Sequence, residues 1–93
     1  MNLFELIGTN SYWLRKDAGL TQDEVAARMG VSHSHYSAIE NARQNLTFGT
    51  FDRLYKALGA RPAQLFEEGR PPKPKRASPG TSRLSKSKSN PSE

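Results

Sequence analysis

The side chains most suggestive of chemistry in this sequence are two histidines, His33 and His35. Residues two apart on a helix point in different directions, so a helix would not bring both imidazoles onto one metal ion. A tetrahedral zinc site also needs further ligands, and the chain contains no cysteine. We therefore predict no metal site and no cofactor.

Enzymatic catalysis is also disfavoured by the residue types. The lack of cysteine removes thiol nucleophiles as well as disulfide bonds. A serine, a histidine and an aspartate could in principle form a hydrolase site, but a small helical domain offers no obvious cleft or oxyanion-binding turn. We predict that the protein is not an enzyme and binds no small-molecule ligand.

The stretch between Glu24 and Glu40 contains no carboxylate. A surface that carries no negative charge does not repel phosphate groups, so this stretch is a candidate for contact with nucleic acid. The alternative is that these residues only form a solvated face.

The chain divides into two parts of different composition. Residues 1–69 contain seven basic and eight acidic residues, whereas residues 70–93 contain seven basic residues and one acidic residue. The second part also holds five of the six prolines and a single large apolar residue, Leu84. It cannot bury enough apolar surface to offset its conformational entropy. We therefore predict a folded domain at 1–69 and a disordered basic tail at 70–93.

This tail carries the excess positive charge of the chain, whose net charge is +5. A basic arm beside a nearly neutral domain favours a polyanionic partner, most often nucleic acid. Two other interpretations remain open. The tail could be a solubilising or expression-related extension, and its segment PPKPKR resembles a nuclear-import signal.

No apolar run approaches the roughly 18 residues of a membrane span, and the N-terminus lacks a signal-peptide pattern. We predict a soluble cytoplasmic protein with no membrane partner. A DNA-binding role would place it on the nucleoid.

Apolar periodicity and turn residues predict five short helices and no strand within residues 1–69. The helices run from about Leu3 to Ala18, Thr21 to Met29, Ser32 to Asn41 and Thr47 to Leu58, with a fifth from Pro62 that contains Leu65 and Phe66. Thr21 and Glu24 form a capping box at the start of the second helix. Short connections between these helices imply a compact all-α domain. Leu65 and Phe66 could cover the core or form a dimer surface.

The connection between the second and third helices is the most specific feature of the sequence. It consists of only Gly30, Val31 and Ser32, and a small residue, Ala26, lies where the two helices would cross. A short turn with a glycine, a small residue at the crossing and apolar residues around it are typical of a helix-turn-helix.

Residues 6–67 resemble the Cro and phage-repressor helix-turn-helix family, which is also called xenobiotic-response-element-like. The resemblance is carried by IGTNSYWLRKDAGLTQDEVAARMGVS, YSAIENARQN and LYKALGARPAQLF. It implies a five-helix, lambda-repressor-like domain that binds double-stranded operator DNA as a homodimer and regulates transcription, often as a repressor. The stretch SHSHYSAIENARQNLT is most similar to controllers of restriction–modification operons.

The resemblance also implies which residues contact DNA. His33 and Ser34 match the family's principal base-reading positions, and Ser37 and Ala38 follow them on the same outward face of the third helix by helical spacing. The phosphate-contacting positions match Thr21, Gln22, Asn41, Arg43, Gln44 and Asn45. A helix N-terminus is a natural phosphate site, which suits Gln22 at the start of the second helix. Arg43 is the strongest phosphate candidate because it supplies charge as well as hydrogen bonds.

Arg15 and Glu40 match a pair that the family buries between the first and third helices, which would explain an acid on the inward side of the third helix. Ala42 stands where the family usually has glycine, so we expect the backbone to turn at Asn41 instead, a residue that tolerates the left-handed conformation. Tyr12 stands where a phosphate-binding arginine is common.

Two alternatives to a sequence-specific regulator are open. The same fold could serve as a protein-interaction module without operator binding. The chain could also bind nucleic acid nonspecifically through its basic tail.

Overall fold

Four α-helices and one short 3₁₀ helix form the domain in a computed structural model that describes residues 2–74. The α-helices are α1 (Leu3–Asp17), α2 (Gln22–Met29), α3 (His33–Glu40) and α4 (Phe48–Leu58), and the 3₁₀ helix is Pro62–Phe66. The all-α fold class is thereby confirmed, and no strand occurs in this part of the chain. Residues 70–74, at the start of the predicted tail, contact α1 through Arg70 and Pro71, and the tail from residue 75 onward lies outside the described residues.

The fifth predicted helix is a 3₁₀ helix, so four of the five predicted helices are α-helices. Its backbone bond from Gln64 N to Arg61 O, at 3.0 Å, joins residues three apart. Pro62 at its first position has no N–H to donate, and only five residues are available. The segment is too short to propagate the bonds of an α-helix.

Local capping bonds fix where the helices begin. The predicted capping box of α2 is present, with Glu24 N donating to Thr21 Oγ1 at 3.1 Å and Thr21 N donating to Glu24 Oε1 at 2.8 Å. The bonds from Thr21 hold the pKa of Glu24 below its ordinary value. Ser32 and Thr47 cap α3 and α4 as predicted. The turn between α2 and α3 therefore ends at a well-defined helix start, the cap at Ser32.

The hydrophobic core joins all five elements around the α2–α3 turn. Ala26 is buried at the helix crossing, as the small side chain predicted. Leu65 is fully buried, which supports the core interpretation for that residue, whereas Phe66 is 45% exposed. The buried apolar side chains are Ile7, Leu14, Val25, Ala26, Met29, Tyr36, Ile39, Leu54, Ala57, Leu58 and Leu65.

Polar side chains of α1 are buried in specific hydrogen bonds. Asn10 Nδ2 donates to Leu65 O at 2.8 Å and to Glu67 O at 2.7 Å, which ties the 3₁₀ helix to α1. Ser11 is fully buried, and its hydroxyl lies 2.8 Å from the hydroxyl of Tyr36. These bonds offset the cost of removing the polar groups from water.

The helices α1 and α3 lie in close backbone contact at Gly8. A Cβ atom built on Gly8 would lie 2.6 Å from Glu40 O and 2.8 Å from Ile39 O. Both oxygens belong to the backbone of the last turn of α3. The absence of a side chain at position 8 therefore sets the distance between the two helices.

Candidate nucleic-acid interface

The N-terminal turn of α3 presents the predicted base-reading side chains at the surface. His33 and Ser34 are exposed, and Ser37 and Ala38 are half-buried one turn further along. Ser32 Oγ accepts a hydrogen bond from His35 N at 3.0 Å and thereby caps the start of α3. The arrangement leaves short polar groups at the positive end of a helix dipole.

A carboxylate lies on this surface beside the predicted base-reading residues, contrary to our expectation of an acid-free face. Asp23 Oδ1 in the first turn of α2 lies 2.5 Å from His33 Nδ1. Both side chains are exposed. The expectation considered only residues between Glu24 and Glu40, whereas the short turn brings the first turn of α2 against that of α3. His33 therefore contacts an acid before any DNA is bound.

Gln22 lies at the border between the candidate interface and the protein interior, where it contacts Glu40. Its Nε2 donates to Glu40 Oε1 at 2.8 Å, and the side chain is half-buried. An amide nitrogen carries two hydrogens, so one donor remains after this bond. The structure thus brings Gln22, predicted to contact phosphate, into the network that holds α3.

The centre of that network is the buried ion pair of Arg15 and Glu40. Arg15 Nε donates to Glu40 Oε2 at 2.6 Å, and the two side chains are 9% and 1% exposed. Arg15 Nη1 also donates to Leu20 O at 3.0 Å. Burial lowers the pKa of the Arg15 guanidinium, but the hydrogen bond and charge of Glu40 outweigh burial and leave this pKa raised. Arg15 is therefore a permanent cation that fixes the carboxylate at the end of α3.

Tyr36 extends the network through the core. Its hydroxyl donates to Glu40 Oε2 at 2.6 Å. Burial, followed by the charge of Glu40, raises the pKa of Tyr36, so the hydroxyl keeps its proton. Because that proton points at Glu40, Ser11 donates to the Tyr36 oxygen. The recognition-helix candidate α3 is thus tied to α1 by three polar side chains and one carboxylate.

The loop after α3 turns at Ala42 and not at Asn41, which corrects our prediction. Ala42 has φ 57°, whereas Asn41 has φ −96° and ends the helix. Arg43 N donates to Ala38 O at 2.8 Å, and Ala42 N donates to Ile39 O at 3.2 Å. This Schellman arrangement requires the left-handed conformation one residue after the cap. Asn41 uses its side chain elsewhere, because Nδ2 donates to Ser37 O at 2.8 Å.

We expect Ala42→Gly to stabilise the domain by about 1 kcal/mol, because glycine adopts the left-handed conformation without the steric cost that alanine bears. The free energy of unfolding from urea titration measures the effect. Ala27→Gly is the matched control, since Ala27 is exposed within α2 and should lose about 1 kcal/mol. A loss of stability in Ala42→Gly would contradict the backbone assignment.

The remaining predicted phosphate contacts lie on the surface around α3. All of them are exposed: Thr21, Arg43, Gln44 and Asn45. Thr21 lies at the start of α2, and the others belong to the loop that follows α3.

Within residues 2–74, no three side chains of the metal-ligating types lie close enough together to hold an ion. None of the helices described is both long and apolar enough to cross a membrane.

A family model, described as a helix-turn-helix domain, matches residues 13–69. The chain belongs to the helix-turn-helix family. Within it, α2 and α3 form the helix-turn-helix itself, and the resemblance stated from the sequence is confirmed.

Relatives within the helix-turn-helix family include named regulators. A protein of Sinorhizobium fredii, called "Uncharacterized HTH-type transcriptional regulator y4dJ", is 42% identical over 65 residues, which are 70% of this chain and 84% of that protein. Control protein C.MunI of Mycoplasma sp is 30% identical over 56 residues, 59% of this chain and 76% of that protein. The restriction–modification controller C.AhdI from Aeromonas hydrophila has a crystal structure similar to this fold, with a TM-score of 0.65 and 27% identity over 68% of this chain and 96% of that chain.

Proposed function

We propose that the protein is a sequence-specific DNA-binding transcriptional regulator that inserts the N-terminal turn of α3 into the major groove. The observation that carries this proposal is the exposure of Ser34 and His33 on a helix whose other end is fixed by the buried Arg15–Glu40 pair. Short polar side chains at that position reach base edges. The similarity to transcriptional regulators and to restriction–modification controllers supports the same role.

The proposed contacts divide into two classes. His33, Ser34, Ser37 and Ala38 read base edges, and Thr21, Gln22, Asn41, Arg43, Gln44 and Asn45 hold the phosphate backbone. For Gln22 and Asn41, contact with DNA would use the donor hydrogens that remain beside the bonds each makes within the domain. For His33, contact with a base would require its bond to Asp23 to be broken or shared.

The protein acts as a homodimer in this proposal, so that two copies read two half-sites of one operator. Aromatic side chains of α4 and the 3₁₀ helix offer a surface for the contact between copies. Phe48 is 96% exposed, and Phe66 stacks on Phe51 with ring centroids 5.2 Å apart. Exposed aromatic side chains are enriched at protein interfaces.

Selection of bound sequences from a random DNA pool with the full chain tests the proposed function. A specific regulator returns a defined sequence, and a homodimer returns a palindromic one. Equal binding of all sequences would favour nonspecific binding through the basic tail. No DNA binding by the folded protein would favour a protein-interaction module.

We expect Ser34→Ala and Arg43→Ala to weaken DNA binding in different ways. Ser34→Ala should reduce discrimination at one base pair by about 1–3 kcal/mol, because a base contact carries sequence information. Arg43→Ala should weaken binding to specific and random DNA equally, because a phosphate contact carries no sequence information. It should also lower the salt slope, which is the steepness with which the logarithm of the binding constant falls with the logarithm of salt concentration, by about 0.9. Titration of the selected sequence and a scrambled one at several salt concentrations measures both effects.

Arg53→Ala is the matched control for Arg43→Ala, since Arg53 is an exposed arginine of α4 outside the proposed contacts. It should leave the salt slope close to that of the wild type. Equal losses on both DNA sequences for Ser34→Ala would count against its assignment to a base.

A further inference from the structure

Residues 70–74, which we call the strap, run across the outer surface of α1. Arg70 Nη2 lies 3.0 Å from Asp17 Oδ2, and Trp13 Nε1 donates to Pro71 O at 2.8 Å. Both contacts are made to α1 and not to the end of the 3₁₀ helix that precedes the strap. After the 3₁₀ helix, the strap therefore lies against α1.

The strap ends beside the interface. Lys73 lines a cleft of about 560 Å³ together with Tyr12, Lys16, Gln22 and Asn41. Lys73 is half-buried, and it also lines a second cleft with Glu40 at the end of α3 and Ala42 in the loop that follows. Gln22 and Asn41 are two of the proposed phosphate contacts, so the strap brings a cation to the place where the DNA backbone would lie.

The charges around the cleft leave Lys73 available to an anion. Arg15 and Glu40, which also line it, neutralise each other, and Asp23 contacts His33. No ion pair within residues 2–74 involves Lys73. Tyr12 on the same wall can donate a hydrogen bond but carries no charge.

We propose that the strap positions Lys73 to bind a phosphate of the DNA backbone in the cleft between α1 and the helix-turn-helix, beside Gln22 and Asn41. The proposal rests on the proposed DNA-binding function and adds a contact from outside residues 13–69, which the family model matches.

A second explanation for Lys73 is attraction to the negative C-terminal end of α3, which would be purely structural. The two explanations differ in what they predict for DNA. A structural lysine changes the free energy of unfolding and leaves the salt dependence of binding alone. A phosphate-binding lysine contributes one released counterion to the salt slope.

Binding of the selected DNA sequence by the full chain, measured over a range of salt concentrations, tests the proposal. Lys73→Gln should weaken binding roughly five- to tenfold at 0.1 M salt and lower the salt slope by about 0.9. Lys73→Arg keeps the charge and should retain most of the slope. Lys56→Gln is the control, because it removes the same charge from the far end of α4, where Lys56 contacts Asp52.

Trp13→Phe tests whether the strap holds Lys73 in place without changing any charge. It removes the donor to Pro71 O but keeps a ring that can pack against Tyr12 as Trp13 does, with ring centroids 5.0 Å apart. It should weaken binding of the full chain two- to fivefold and leave the helical circular dichroism unchanged. Adding Lys73→Gln to Trp13→Phe should cost less than Lys73→Gln costs alone.

An unchanged salt slope for Lys73→Gln would overturn the phosphate contact, and tighter binding would show that the strap competes with DNA. Full additivity of Trp13→Phe and Lys73→Gln would overturn the positioning role of the strap. These failures differ from failure of the proposed function, in which the wild-type chain selects no sequence from the random pool.

Discussion

Arg15→Ala should lower the free energy of unfolding by about 3–5 kcal/mol, because it strands the carboxylate of Glu40 in the interior. The Glu40 side chain is 1% exposed, and its remaining partners, Tyr36 and Gln22, donate neutral hydrogen bonds. A small domain has a total stability of about 5–15 kcal/mol, so the loss is a large share of it. Urea titration followed by circular dichroism measures the change in midpoint.

Two further variants test whether the loss comes from the unpaired buried charge of Glu40 or from removing a cation as such. Lys56→Ala removes a cation from an exposed pair with Asp52 and should leave the midpoint nearly unchanged. Arg15→Met combined with Glu40→Met removes both buried charges and should recover most of the stability. If Arg15→Ala left the midpoint unchanged, the pair would not hold α3 against α1.

The double methionine variant also reports on function. The ion pair has a fixed geometry, whereas two methionines pack adaptably and specify orientation poorly. A folded double variant should therefore discriminate less well between selected and scrambled DNA. The buried pair would then serve the orientation of α3 more than the stability of the domain.

The helices could be predicted from the sequence because their signals are local. Thr21, Ser32 and Thr47 each cap the helix that follows them, through bonds to residues three positions along the chain. The apolar spacing in between selects the buried side of each helix. Such information lies within a few residues, so it can be recognised without knowledge of the tertiary fold.

The contacts that were missed join residues far apart in the chain. Asp23 meets His33 only because of the angle between α2 and α3, which no local pattern specifies. The contact of Trp13 with Pro71 spans 58 positions. The burial of Asn10 could have been predicted, since its spacing of three from Ile7 and four from Leu14 puts it on the buried stripe of α1. Its partners, two backbone carbonyls, have no sequence signature.

Ala42 shows a different limit of prediction. Asparagine tolerates the left-handed conformation better than alanine does, which made Asn41 the reasonable choice for the turn. The Schellman bonds decide otherwise, because they require this conformation at the residue after the helix cap. The position within the motif therefore outweighs the preference of the residue type.

Gly8→Ala should destabilise the domain by about 2–3 kcal/mol, although alanine is the better helix former. In an isolated helix, replacing glycine by alanine would stabilise the helix by about 1 kcal/mol. In this domain the new methyl group would lie 2.6 Å from Glu40 O and 2.8 Å from Ile39 O, and neither backbone oxygen can move without shifting α3. Overpacking against rigid atoms of this kind costs about 1–3 kcal/mol, and two contacts place Gly8 at the upper end.

Gly49→Ala is the matched control, because the same substitution in α4 meets only Thr47 Oγ1, at 3.8 Å. It should leave the stability unchanged or raise it by up to about 1 kcal/mol, so Gly8→Ala should lower the urea midpoint and Gly49→Ala should not. Because the clash falls on the last turn of α3, Gly8→Ala should also weaken binding of the selected DNA at temperatures where the variant is still folded. Equal midpoints for Gly8→Ala and Gly49→Ala would show that α1 and α3 are farther apart at Gly8, and that a side chain at this position does not displace the helix proposed to read DNA.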